Sequence, residues 1–216
     1  MLWQMFGLLK SPLLLLLFIV ILVIPLLFSI AFHEMAHGFV AYKFGDPTAK
    51  LMGRLTLNPL KHLDPKGTIL LFLIGLGWAK PVIVNIQNIN NRTHQMLVAL
   101  AGPVSNLLLA LVFAIFISIF ENLLYFSSQN IIIILLHSVV NINIALAVFN
   151  LIPLPPLDGS RIVAWLLPEK MEEIYYKLEK YGVFILLVIL YFNGFTYIFK
   201  IATILQEYLY MFLRIF

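Results

Sequence analysis

The chain contains no cysteine, and charged residues make up only 11% of its 216 positions. The absence of cysteine excludes disulfide frameworks and thiolate metal or redox sites, so any bound metal must be held by nitrogen and oxygen ligands. The low charge is far from the roughly 25% that is typical of soluble globular domains, and 62% of the residues are hydrophobic. The composition therefore indicates an integral membrane protein.

Positive charge is modest, with a formal net charge of +4. The seven basic residues between Lys43 and Arg92 lie in a stretch that is poor in the aromatic side chains that stack on nucleic-acid bases. We therefore expect no nucleic-acid partner and take the lipid bilayer as the environment of the chain.

Crossing about 30 Å of hydrocarbon requires about 20 mostly apolar helical residues. Four segments are long enough: 11–32, 96–120, 130–152 and 181–199. A fifth candidate, 201–213, is short and contains Glu207, so it either crosses the bilayer or lies in the interface. The apolar run 69–79 is too short to span as a helix, and we expect it to be re-entrant or a strand.

The distribution of lysine and arginine predicts the orientation of these segments. The connection after the first segment carries seven basic residues, the connection at 121–129 carries none, and the connection at 153–180 carries four. The first and third connections are therefore predicted to face the cytosol, with the N-terminus outside, in a multi-pass protein of the plasma membrane. A secretory signal peptide cleaved near 29–31 is the alternative for the first segment, but Lys10 alone makes a weak basic start.

The fold prediction is an all-α polytopic membrane protein with four to five transmembrane helices. A small membrane-associated β-hairpin or re-entrant segment is expected on the cytosolic side. We expect a single integral-membrane domain over residues 1–216, with a core at 12–165 and C-terminal helices at 166–216.

Three ionisable residues stand at the cytosolic end of the first segment, in the sequence HEMAH. His33 and His37 are four residues apart, so on a helix they lie one turn apart on one face and can share a metal ion. Glu34 is placed to take a proton from a metal-activated water, whose pKa zinc lowers to about 7. Snorkelling at a helix end would explain one such residue, but three after a long uncharged run need a cation as partner.

A catalytic zinc site usually has three protein ligands and an open position for water. Asp158 is the best candidate for the third ligand, because it lies in FNLIPLPPLDGSRI (149–162), where prolines break the third segment at its cytosolic end. Irregular backbone at membrane depth is tolerated where it lines a water-containing cavity. PLDGS also fits an ordinary turn, and the spacing alone does not decide between the two.

Together these motifs resemble the site-2 protease family of intramembrane zinc metalloproteases, in its compact bacterial-type branch without a PDZ domain. Asn150 stands eight residues before Asp158, as in the family pattern. The resemblance covers about residues 12–165. Its motifs are HEMAH, NLIPLPPLDG, GDPTAKLMGRLTLNP (45–59), GWAKPV (77–82) and AGPVSN (101–106).

The resemblance implies one zinc ion per chain, bound by His33, His37 and Asp158, with Glu34 as base and proton shuttle. Asn150 is implied to hydrogen-bond the substrate or the developing oxyanion, an interaction that typically contributes about 10²- to 10³-fold to the rate. The implied substrate is a single-span membrane protein, hydrolysed near the cytosolic face in regulated intramembrane proteolysis.

A substrate helix must unwind before water reaches its peptide bonds. The segment 75–90 alternates like a strand, and its edge could pair with the unwound substrate, or it could form a plain cytosolic hairpin. For Asn106 we expect close helix packing first and a role in the site second. For His137, Asn141 and Asn143 we expect interhelical hydrogen bonds in preference to a proton relay.

Three other functions stay open at this point. A transporter would explain the polar residues within the spans, but two related halves are expected of it and neither motif recurs. A different membrane metalloprotease would use a glutamate as third ligand, for which the candidates on the cytosolic side are Glu169, Glu172, Glu173 and Glu179. A non-catalytic pseudoprotease is weaker, because all the expected chemical groups are present.

Overall fold

The computed structural model describes residues 11–65, 67, 80–168, 171, 175, 177–192 and 194–214. Among these residues the regular structure is helical, and no strand occurs. Short 3-10 turns lie at Pro59–Lys61 and Ile86–Asn88. The helices are α1 (Pro12–Lys43), α2 (Thr48–Leu51), α3 (Arg92–Leu123), α4 (Ile131–Asn150), α5 (Asp158–Leu166), α6 (Glu179–Tyr191) and α7 (Phe195–Arg214).

Three of the described helices, α1, α3 and α4, are long and apolar enough to cross a membrane. Each begins at a polar cap whose side chain accepts a backbone N–H of the first turn: Ser11 for α1, Asn91 for α3 and Asn130 for α4. The first three predicted segments are thereby confirmed as membrane-length helices. One difference is that α1 does not stop at residue 32 but continues through HEMAH to Lys43.

Helix α3 is central among the three long helices and contacts both α1 and α4. Helix α7 packs against α3 and α4. Ala110 and Ala114 of α3 are buried against Ile133 and Val140 of α4, since small side chains let helix backbones approach closely. The opposite side of α3 carries exposed apolar side chains, as a lipid-facing surface requires. They include Leu108, Val112 and Phe116.

The prediction of one spanning helix over 181–199 is wrong. Helix α6 ends at Tyr191 and α7 begins at Phe195, so an interruption lies inside the apolar run. At this interruption the N–H of Gly194 donates to the carbonyl of Ile189 over 2.8 Å. This bond reaches back five residues where a continuing α-helix reaches back four, a bond that is typical of a helix C-terminus. The predicted total of four to five spans is therefore not confirmed.

The strand predicted within 75–90 is also wrong for its described part, 80–90. Three of the N–H groups of this segment bond to a turn carbonyl or to side-chain carboxylates, so these three form no strand ladder. The segment instead folds into the 3-10 turn Ile86–Asn88, and the predicted re-entrant run 69–79 lies outside the described residues. The acceptors are the His62 carbonyl for Lys80, the Glu34 carboxylate for Val82 and the Asp46 carboxylate for Asn85.

Candidate metal centre

Two imidazoles and one carboxylate meet where α1, α3 and α5 come together. The Nε2 atoms of His33 and His37 are 3.1 Å apart. Asp158 Oδ2 lies 3.1 Å from His33 Nε2 and 3.2 Å from His37 Nε2. Both histidines are buried, with 6% and 9% of their surface exposed. The structure therefore unites the three predicted ligands, although 121 residues separate His37 from Asp158.

The spacing of these atoms fits a tetrahedral metal ion. Bonds of about 2.0–2.1 Å to zinc place neighbouring tetrahedral donors roughly 3.3 Å apart, close to what the cluster shows. Within the described part of the chain, no other group of three histidine or acidic side chains converges in this way.

The protonation of the rings gives a second reason to expect a cation. His37 Nδ1 donates to the Val98 carbonyl over 2.7 Å, and His33 Nδ1 donates to Asn106 Oδ1 over 2.5 Å. With their Nδ1 protons committed, the neutral rings turn the lone pairs of both Nε2 atoms toward each other and toward Asp158. Such a buried set of acceptors is stable only with a positive charge among them.

Helix α3 leaves room for the rings at Gly102. A Cβ atom at this position would lie 2.6 Å from His33 Nε2 and 2.5 Å from His33 Cε1, and it would overlap His37 Nε2. Because real Cβ contacts closer than 3.0 Å are essentially absent, only glycine lets α3 approach the two histidines this closely. The metal-binding edges of the two rings thus occupy space that a side chain at residue 102 would fill.

Asp158 is the first residue of α5, and α5 is fixed at both ends. At its start, a Cβ on Gly159 would lie 2.5 Å from the Ile152 carbonyl oxygen, so glycine allows α5 to begin directly against the turn that follows α4. At its end, Arg92 Nη2 donates to the carbonyls of Ala164 and Leu167, each over 2.8 Å.

Glu34 is held by a backbone N–H of the segment 80–90. Its Oε2 accepts the N–H of Val82 over 2.8 Å. The same segment is anchored by Asp46, which is fully buried and accepts from the N–H of Asn85 and the amide of Asn88, each over 2.7 Å. Burial raises the pKa of Asp46, but these bonds and those from Thr48 lower it more, to below its ordinary value.

Among the described residues, the side chain of Asn150 makes no hydrogen bond to the cluster. Its Nδ2 donates to the Leu146 carbonyl, one turn earlier in α4, over 2.9 Å. The role of Asn150 stays a prediction.

Sequence reasoning underrated Asn106 and missed Ser29 and Asp46. Packing was expected to be the first role of Asn106, but its side chain bonds directly to His33. Asp46 had a recognisable signal, because Asp-x-Thr after a glycine favours a side-chain-capped turn. The expected interhelical hydrogen bonds are present for Asn143, which accepts from Asn106, and for His137, which bonds Tyr210 across α4 and α7 over 2.7 Å.

The glutamates considered as alternative third ligands fall where the structure does not describe side chains. They are Glu169, Glu172, Glu173 and Glu179.

Comparisons with known proteins agree with this site. The family model described as Peptidase family M50 matches residues 21–134 and 116–192. "Putative zinc metalloprotease YwhC" of Bacillus subtilis (strain 168) is 46% identical over 175 residues, which is 78% of each chain. "Putative zinc metalloprotease Rip2" of Mycolicibacterium smegmatis is 29% identical over 141 residues, 62% of this chain and 52% of the relative. Its counterpart from Mycobacterium tuberculosis H37Rv is 30% identical over 146 residues with the same coverage. No solved structure matches.

The family match contains both halves of the metal cluster and continues to residue 192, beyond residue 165 where the recognisable motifs stop. The resemblance found in the motifs is thus confirmed, and the chain belongs to Peptidase family M50, the site-2 protease family, as a membrane metalloprotease.

Proposed function

We propose that the protein is an intramembrane zinc endopeptidase that hydrolyses single-span membrane proteins near the cytosolic face of the plasma membrane. The observation that carries this proposal is that Asp158 lies within 3.2 Å of both His33 and His37, which stand on a membrane-length helix. The basic connections on either side of the cluster support a cytosolic location. The N-terminus then lies outside.

His33, His37 and Asp158 would hold the zinc ion, and a site with three protein ligands would leave room for water or substrate. When bound, zinc supplies Lewis acidity, which lowers the pKa of water to about 7 and polarises the substrate carbonyl. Glu34 follows His33 directly and acts as the general base. Glu34 accepts a proton from the attacking water and later delivers it to the leaving amine. The Val82 N–H orients the Glu34 carboxylate for this transfer.

The segment next to Glu34 is suited to bind unwound substrate. Lys80 and Val82, two residues apart, both donate their N–H groups into the protein. In an extended backbone the N–H and C=O groups of alternate residues point to opposite edges, so those of Pro81 and Ile83 face outward. Pro81 offers only its carbonyl, whereas Ile83, which is 51% exposed, also offers an N–H. A substrate strand could add to this outer edge by β-augmentation although no strand exists there beforehand. This arrangement would present the scissile bond beside the general base.

A paired substitution tests the proposal. Glu34→Gln is expected to keep about one zinc ion per chain and to lose cleavage of single-span peptides by about 10²- to 10⁴-fold, because only the base is removed. Asp158→Ala is expected to lose the zinc as well. Purified protein in detergent, assayed for zinc and for cleavage of a peptide panel, gives both readouts. Glu207→Gln, the same chemical change at an exposed position of α7, is the control.

Full cleavage by Glu34→Gln would contradict this mechanism. Zinc retained by Asp158→Ala but lost from Glu172→Ala or Glu173→Ala would instead indicate a metalloprotease with a glutamate ligand. Zinc binding without any cleavage by the wild type would favour the transporter or the pseudoprotease.

A further inference from the structure

We propose that Asn106 is a positioning residue of the metal centre, and that Asn143 and Ser29 hold its amide in the orientation that His33 requires. The inference rests on the proposed metal ligands. It adds to the site three polar side chains that lie outside HEMAH and NLIPLPPLDG.

The contact with His33 determines which ring nitrogen is free. Asn106 Oδ1 can only accept, so the 2.5 Å contact places the proton on His33 Nδ1 and leaves Nε2 with its lone pair toward His37 and Asp158. The Val98 carbonyl does the same for His37. A backbone carbonyl is present whatever the side chain, whereas the acceptor for His33 depends on residue 106 being able to accept.

The amide of Asn106 is fixed by a one-way chain of hydrogen bonds. Its Nδ2 donates to Asn143 Oδ1 over 2.7 Å, and Asn143 Nδ2 donates to Ser29 Oγ over 2.8 Å. Asn143 Nδ2 also donates to the Val139 carbonyl, and Ser29 Oγ donates to the Pro25 carbonyl, each over 2.8 Å. Carbonyls cannot donate, so these ends set the direction of the whole chain.

Burial makes the direction strict. Asn106, Asn143 and Ser29 have no exposed surface, so water cannot replace a lost partner. A flipped Asn106 would set its NH₂ against the Nδ1–H of His33 and its oxygen against Asn143 Oδ1. Each of these buried groups would then be unpaired, which strongly disfavours the flip. The network begins on α1, crosses α3 and α4, and returns to α1 four residues before His33.

Zinc affinity, measured by competition with a chelator on the full chain in detergent, tests the role of Asn106. Replacing partners behind a metal ligand typically costs about 10- to 100-fold in metal affinity. We expect this loss for Asn106→Leu, which removes the acceptor. Asn106→Asp keeps an acceptor for His33, and in its protonated form the carboxyl also keeps a donor for Asn143 Oδ1, so its zinc affinity should stay close to that of the wild type. Asn143→Leu, which only frees Asn106 to rotate, should give a smaller loss.

Asn141→Leu is the matched control, because Asn141 is exposed on α4 two residues from Asn143. Its zinc affinity should equal that of the wild type. The visible absorption of cobalt bound in place of zinc provides a second readout. The spectrum should change in Asn106→Leu and be preserved in Asn106→Asp, which a role in packing alone would not produce.

Equal zinc affinity of folded Asn106→Leu and wild type would overturn the inference. Equal losses in Asn106→Leu and Asn106→Asp would do so too, because only packing would then be at stake. If Asn106→Leu yields no folded protein, the comparison of Asn106→Asp with Asn143→Leu decides in the same way. A wild type that binds no zinc would contradict the proposed function, whereas these outcomes contradict only the role of Asn106.

Discussion

Gly102→Ala is expected to abolish tight metal binding while leaving the helices intact. The added Cβ would lie 2.6 Å from His33 Nε2, so the ring must retreat by about 0.8 Å to reach the 3.4 Å of ordinary contact. Metal–ligand distances tolerate only about 0.2 Å. We therefore expect zinc affinity to fall by about 100-fold or more, beyond the effect of losing an outer hydrogen bond. Alanine meanwhile favours the helix by about 1 kcal/mol over glycine.

The assay compares zinc affinity with thermal unfolding of the metal-free protein in detergent. Gly38→Ala is the control, since the Cβ added there meets the side chains of Leu55, Ala49 and Val82 at 2.8–3.1 Å and no ring of the metal centre. It should keep zinc, whereas Gly102→Ala should lose zinc and still unfold cooperatively in its metal-free form. Wild-type zinc affinity in Gly102→Ala would refute the reasoning, because the cluster could not then have the described geometry.

Three further predictions concern the surroundings of the cluster. The pKa of Asp46 is lower in the folded protein than its ordinary 3.8, so its ionised form stabilises the fold above that pH and the contribution is lost as the pH falls below it. Asp46→Asn should therefore lack this component of acid destabilisation in melting curves, and an unchanged acid profile would contradict it. Val82→Pro removes the N–H that Glu34 accepts and should slow cleavage about tenfold with zinc retained, as one lost hydrogen bond implies; an unaltered rate would show that this bond does not orient the base. Asn150→Ala should lower kcat by about 10²- to 10³-fold at full zinc occupancy, and kinetics equal to the wild type would remove Asn150 from the mechanism.

The pairing of His33 with His37 could be predicted from the sequence because it is local. A helix repeats its faces over four residues whatever lies around it. The assignment of Asp158 as a metal ligand could not rest on its local sequence, since PLDGS fits a turn equally well. It depended on the resemblance to the family motif. The three membrane-length helices followed from apolar length alone.

The remaining features depend on contacts that no local pattern contains. His33 is 73 residues away from Asn106, and only the rotation of α3 in the folded protein brings the amide between His33 and Asn143. Alternation around residue 84 predicted a strand, but the carboxylates of Glu34 and Asp46 bind the N–H groups of that segment. The backbone hydrogen bond from Gly194 to Ile189 marks the end of α6 inside an apolar run whose composition alone predicts a continuous span.

The supports for the two rings lie on α3 with the same four-residue repeat as the rings on α1. Val98, Gly102 and Asn106 follow one another at this interval, and the two helices run antiparallel, so Val98 meets His37 and Asn106 meets His33. A displacement of α3 by one turn would place a side chain where the rings need the gap and would take the side-chain acceptor of residue 106 away from His33. Zinc can therefore be bound only after these two spans have assembled in the correct register. Metal occupancy then reports that the two helices have assembled correctly in the bilayer.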